Sequence, residues 1–562
     1  MLLQSKELRS PFLAWLENQR IMRQDSLVWW MTHLAGRNVL VSPLYLHLCQ
    51  LKALLEFLRQ ETPEYPEKLL IVCEDSFLLL TVQRILEKQK QCQRARGWLK
   101  TFSGEWAYLF ASLGFSWLRE FVRSFRTAWW AWRTRPDNPP LMPDSGKKRL
   151  VLFHRCLDDK AFQAQGIRDR YFAGLPDFLR GQDCEVLTLP WLWNIQRPLS
   201  AVFRQLRRES ALVVEDQLKP RDYFWAFWRQ LQTGLLWRGK HFFQEMEITP
   251  LLWRENIANA RSGAMKFWLY QPALRRWSEN LPGSKKRKLF LIQQFDGMPP
   301  EHVQVATLRK QFYRLKVVGY YHVLVTREFL PYHFTASEWE SQIMPDVIVT
   351  NGELGRQTLI KQGAPPERVK AGPALRQDFR TLSWNLNDER NGLLLLLPID
   401  GGLAVELTIL LAKINPVLQK KYGTPVQIKP HPMMSRKSLQ RRSGLKEMPE
   451  NWTWAEGEIH NCLKNTFCCV AAMTSAVYDA VLAGCIAMSV QRELGLMSNY
   501  FDILEDDFPL LCAVMPDKLW TRLDAAFGEE RETFRTEFAH VRQRLMQGLS
   551  QPSDETMSVF IA

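Results

Sequence analysis

Short apolar or β-branched runs that end in polar or glycine-containing turns recur along this chain, with helical patterns between them. Such runs occupy residues 37–43 (RNVLVSP), 68–75 (KLLIVCED), 148–156, 184–192, 288–297, 315–325 and 345–353. Their length and continuous apolarity fit strands covered on both faces, as in parallel sheets. A polar stretch at 383–392 (SWNLNDERNG) reads as a linker. Beyond it a second series begins, at 393–402, 425–432, 465–475, 484–490 and 510–516, with helical segments at 403–423 and 476–484. This order predicts an α/β fold of two doubly wound, Rossmann-like domains facing a cleft, the first over 1–382 and the second over 383–562. Folds of this kind collect ligands outside the carboxyl ends of their strands.

Two aromatic stretches stand apart. Residues 102–135 predict a long helix on which Trp106, Leu109, Phe110, Leu113, Trp117, Phe121 and Phe125 share one arc. Arg119, Arg123, Arg126 and Arg133 fall opposite. That composition suits a helix lying in a membrane interface, and it equally suits an amphipathic helix packed on its own domain. Residues 221–243 have a similar character.

Charge narrows the partners. The chain has 74 Lys and Arg against 59 Asp and Glu, a formal net charge of +15, which calls for an anionic partner. No zinc-finger spacing, RNA-recognition signature or basic zipper is present, so nucleic acid is not expected. The 22 tryptophans favour a membrane surface, where rings with one apolar and one wet side are useful. The ten cysteines form no CxxC pairs and read as free thiols of a reducing compartment. The first residues lack a secretory pattern, and no uncharged apolar stretch reaches the ~20 residues that span a bilayer.

Candidate chemistry gathers at the expected strand ends. In VQIKPHPMMS (426–435), Pro430 and Pro432 restrict the backbone around His431, which suggests a presented imidazole or else a turn that carries a histidine. Lys429 precedes it. In AAMTSAVYDAVLAG, Thr474 and Ser475 fall at a helix start, where backbone N–H groups and hydroxyls favour an anion; as an isolated pair they are only a cap. His431 and Lys429 from the neighbouring strand end are expected to complete a phosphate pocket with Thr474 and Ser475.

The HP element followed by a hydroxyl-bearing strand-to-helix turn resembles the nucleotide half of GT-B glycosyltransferases that use CMP-sugars, such as bacterial sialyltransferases and Kdo transferases. CDP-glycerol phosphotransferases are similar. DRYFAGLPDFL (169–179), QQFDGMPPEH (293–302), VVGYYH (317–322), MPDVIVTNGE (344–353) and GPALR (372–376) occur in an order that resembles bacterial surface-carbohydrate biosynthesis proteins. The resemblance runs from about residue 27 to 520. It departs where Pro299-Pro300 follow Asp296 in place of a Trp-containing turn, and where Thr474-Ser475 replace two serines.

What the resemblance implies is a GT-B-like enzyme with His431, Thr474 and Ser475 on the nucleotide phosphate. Asp296, placed before Gly297 at a strand end, is the implied base for an acceptor hydroxyl, though an Asp-Gly turn would look the same. Glu301 is the second candidate, or a helix cap. His322, Asn351, Glu353 and Arg376 are candidates for donor or acceptor contacts, Arg376 as a bidentate partner of carboxylate or phosphate. The expected reaction moves an acidic, nonulosonic-acid-type sugar from a CMP donor to a surface glycan or lipid-linked acceptor, without metal or other cofactor. Such a protein is expected in the bacterial cytoplasm, peripheral on the anionic inner membrane face through Arg119, Arg123 and Arg126. The alternatives are a CDP-polyol phosphotransferase and a non-catalytic component of polysaccharide assembly.

Overall fold

The computed structural model describes residues 2–562 except 40, 60–70, 74, 89–97, 137–145, 165, 170, 262, 282–286, 325–328, 378, 380–389, 433, 446, 493–495, 497–499 and 505–513; the side chains of 2, 98–106 and 108–110 are also not described. The expected linker therefore lies mostly outside the described residues, as does the first part of the run at 510–516.

Two parallel sheets organise the chain. The first contains β1 (Arg149–Leu157), β2 (Cys184–Leu192), β3 (Lys288–Gln294), β4 (Leu315–Tyr321), β5 (Val347–Thr350) and β6 (Val369–Ala371), in the order β2-β1-β3-β4-β5-β6. Arg149 aligns with both Cys184 and Lys288, which puts β1 inside the sheet. The second contains β7 (Gly392–Leu396), β8 (Val426–Lys429), β9 (Trp452–Trp454), β10 (Thr466–Ala471) and β11 (Ile486–Ser489), in the order β9-β8-β7-β10-β11. Successive connections leave in opposite directions from β1 and β3, and from β7 and β10. Each sheet therefore has one topological switch point, with a crevice at its carboxyl edge. The two doubly wound domains expected from the sequence are present.

The helices used below are α1 (Leu2–Met22), α2 (Leu44–Arg59), α3 (Ser76–Lys88), α4 (Trp98–Arg133), α5 (Pro220–Gly234), α6 (Thr249–Arg261), α7 (Pro299–Gln311), α8 (Glu353–Lys361), α9 (Gly401–Tyr422), α10 (Ala476–Leu482) and α11 (Arg531–Gly548). Helix α9 is long and apolar enough to cross a membrane, but it is the first crossover of the second sheet and buries Leu403, Leu407, Leu411 and Leu418.

The strands expected at 37–43 and 68–75 are not there among the described residues. At the first, the amides of Val41 and Ser42 turn back to the Asn38 carbonyl, and Arg37 takes a φ of 53°. The described part of the first 136 residues is helix and turn. Its apolar residues join a continuous core running from Phe12 and Tyr45 through Phe295 and Tyr332 to Leu394 and Val470. The chain end returns to the first sheet. The Ser550 amide donates to Asn351 O at 3.2 Å, the Ala374 amide donates to Ser550 O at 2.8 Å, and Phe560 is fully buried among residues of β1, β3 and β4.

Candidate active site

On the first domain's side the site is built at the ends of β3 and β4. After β3 the chain turns at Gly297, whose φ of 67° suits glycine, and α7 starts on Pro299-Pro300. The Glu301 carboxylate folds back over this start and accepts the amides of Asp296 at 3.1 Å and Met298 at 3.2 Å. Burial pushes the Glu301 carboxyl well above its ordinary 4.5, and the neighbouring Asp296 charge adds to the rise. Glu301 is thus the cap of α7 and does not face the crevice.

Asp296, with a side chain one-third exposed, does face it. Its Oδ1 accepts the Tyr332 hydroxyl at 3.0 Å and lies 3.7 Å from His322 Nδ1. Burial holds His322 below its ordinary 6.5, the Asp296 charge opposes this, and Arg376 reinforces it. The ring therefore meets Asp296 as a neutral imidazole at neutral pH, with Tyr171 packed edge-on 4.8 Å away. Beneath this group Arg155 Nε donates to Asp169 Oδ2 at 2.7 Å in a fully buried pair, and Asp169 Oδ1 accepts the amides of Tyr171 and Phe172. Asp169, Tyr171 and Phe172 are held in this way.

On the second domain's side, Leu396 of β7 aligns with Lys429 of β8 and Ala471 of β10, so the three following loops leave one edge together. The loop after β10 passes through Met473 at a φ of 48° and starts α10, with Thr474 Oγ1 accepting the Ala476 amide at 3.3 Å. The HP turn is closed by the Met434 amide on the His431 carbonyl at 2.8 Å. After β7, Asp400 caps α9 by accepting the Leu403 amide at 2.6 Å. A Cβ on Gly401 would lie 2.8 Å from Arg442 Nη1, and one on Gly402 would lie 3.6 Å from Arg492 Nη2. Two guanidinium groups thus sit over a glycine pair at the second switch point; that of Arg492 is also paired with Glu406.

The two sides meet through Arg376, which leaves the first sheet after β6 and donates from Nη1 to Ser475 Oγ at 3.5 Å. Asp296, His322, Arg376, Thr474 and Ser475 are therefore gathered at one crevice, and His431 is on the same edge of the second sheet. Lys429 points away from them and donates to Gly457 O at 2.7 Å. Asn351 is fully buried at the end of β5, where Gly548 and Ser550 cover its neighbour Gly352. Glu353 starts α8 and pairs with Arg356 at 3.0 Å. Sequence reasoning missed Tyr332, Arg442, Arg492 and Asp400. The strand-end Asp-Gly-Gly of 400–402 was a readable cap signal. The Tyr332–Asp296 contact has no local signal at all.

No protein-family model matches the chain, and no curated protein is similar to it in sequence. Among solved structures, the calicheamicin glycosyltransferase CalG4 aligns at 11% identity over 72% of this chain and 96% of its own, with a TM-score of 0.39. MurG of Acinetobacter baumannii aligns at 12% identity over 74% and 98%, TM-score 0.38. The S. aureus MnaA–UDP structure aligns at 8% identity over 72% and 99%, TM-score 0.39. Agreement at that level assigns no donor, acceptor or residue role to this chain.

Proposed function

We propose that the protein is a glycosyltransferase of GT-B type that moves an acidic, nonulosonic-acid-type sugar from a CMP donor to a hydroxyl of a surface glycan or lipid-linked acceptor. The observation that carries this reading is the crevice where Asp296 and His322 of one domain face Ser475 of the other across Arg376. Asp296 removes the proton from the acceptor hydroxyl. That oxygen forms a bond to the anomeric carbon as the bond from this carbon to the phosphate oxygen breaks, and CMP leaves. A one-step displacement of this kind inverts the anomeric centre. Tyr332 and His322 position the carboxylate, while Arg376 suits the donor's carboxylate or phosphate. His431, Thr474 and Ser475 take the nucleotide phosphate, and the cations over the second sheet's edge balance its single phosphate without a metal ion.

Thermal shifts with CMP, CDP, UDP and GDP test the donor class, since a ligand at about 100 times its Kd stabilises by about 2.7 kcal/mol. Stabilisation by UDP but not CMP would reject the donor, and no response to any nucleotide would favour a non-catalytic role. Asp296→Asn is expected to keep CMP binding and lose transfer, because a general base acts in the transition state. His431→Ala is expected to weaken the donor complex and slow transfer by ~10²-fold or more. Normal turnover in Asp296→Asn would reduce Asp296 to a turn residue.

A further inference from the structure

Helix α4 divides into three sectors. One packs on the first domain: Ser116 Oγ donates to Arg261 O at 3.0 Å, Trp117 Nε1 donates to Ala260 O at 2.8 Å, and Glu120 and Ala131 are buried. A second sector repeats at steps of three and four residues as Phe115, Leu118, Val122, Phe125, Trp129 and Trp132. All six are exposed, from 45% at Trp129 to 68% at Phe115. The third sector holds Arg119, Arg123, Arg126 and Arg133, also exposed, along one side of the apolar stripe. The arc expected from the sequence is thus split, with Trp117 turned inward and Phe121 and Phe125 turned outward.

Helix α5 carries exposed rings of its own. Phe227 meets Trp117 edge-on at 5.4 Å, and its neighbours Phe224 and Trp228 are 68% and 59% exposed. An exposed apolar stripe of the extent seen on α4 marks a docking face.

We propose that this exposed face of α4 docks on an anionic lipid bilayer, independently of the reaction proposed above. The stripe spans about 26 Å of helix, on the order of 1.5 Å per residue, and lies flat along the surface instead of crossing it. Charge selects the occupant. Between residues 111 and 135 the sole acidic residue is Glu120, which is buried, so a second copy pairing through this face would bring no acidic row to the exposed arginines. Anionic headgroups would meet that row while the rings enter the acyl boundary.

Flotation of the full chain with phosphatidylcholine vesicles, with and without phosphatidylglycerol, tests this. Wild type should float with the anionic vesicles, and added salt should weaken the association. Leu118→Ser/Phe125→Ser/Trp129→Ser should lower partitioning at least about tenfold with an unchanged melting temperature, because these side chains are exposed. Arg119→Glu/Arg123→Glu/Arg126→Glu should lower it about 100-fold or more. Several outcomes would overturn the proposal: no binding of wild type to anionic vesicles, equal binding to pure phosphatidylcholine, or a serine variant that melts markedly earlier. A wild type that is dimeric, becomes monomeric in the serine variant and ignores vesicles would assign the face to a second copy instead.

Discussion

Asp296 and Glu301 are five residues apart, yet their surroundings give them opposite tasks. Glu301 is buried, its Oε1 has no hydrogen-bond partner, and it stays protonated well above 4.5. A carboxyl whose folded pKa is raised contributes stability fully present below its unfolded value and lost as pH rises through its folded one. Glu301→Gln keeps an oxygen to accept the Asp296 and Met298 amides and removes the titration. Denaturant unfolding at about pH 5 and about pH 8 should show a flatter stability profile for this variant than for wild type. Parallel profiles would mean that Glu301 does not titrate in this range. Both carboxylates were legible as candidates from the Asp-Gly turn and the following prolines. Whether Glu301 caps the helix or serves as a second base was left open in the sequence, because its spacing from the prolines suits both.

At the scale of elements, the sequence was most readable where strands are buried on both faces. The runs around 148–156, 184–192 and 466–471 are strands because their alternate residues fill cores on opposite sides of the sheet. The same apolar density at 37–43 gives turns among the described residues, where no neighbouring strand offers a ladder, and Val39 is left half-buried and Val41 exposed. Periodicity reports burial, and tertiary context decides the element. Helix α4 shows the limit in another form: its moment was legible, but which half of the apolar arc is covered was not. Adjacent residues check this division. Trp117→Ala removes a packed ring and an indole hydrogen bond, and should cost about 3 kcal/mol. Leu118→Ala should fall within about 0.5 kcal/mol. Equal losses in denaturant unfolding would mean that both sides of the helix are packed.

For the whole molecule, the least legible feature is the return of the chain end to the first sheet. The residues SVFIA at 558–562 carry no sign of which core they enter. In the fold, the Phe560 ring packs 5.5 Å from that of Tyr320 on β4. The Tyr320 hydroxyl donates to Pro373 O at 2.8 Å and accepts the Leu375 amide at 2.9 Å. Those two residues lead directly into Arg376, which reaches Ser475 of the other domain. The end of the second half thereby buttresses the first domain's arginine at the crevice. Phe560→Ala should lose about 3–5 kcal/mol through the cavity it leaves. Hydrogen exchange should rise at residues 372–376 more than in β7 and β10, because the Tyr320 anchor loosens while the second sheet keeps its own core. Unchanged exchange at 372–376 alongside the expected stability loss would mean that the tail only fills the core and does not hold Arg376 in place.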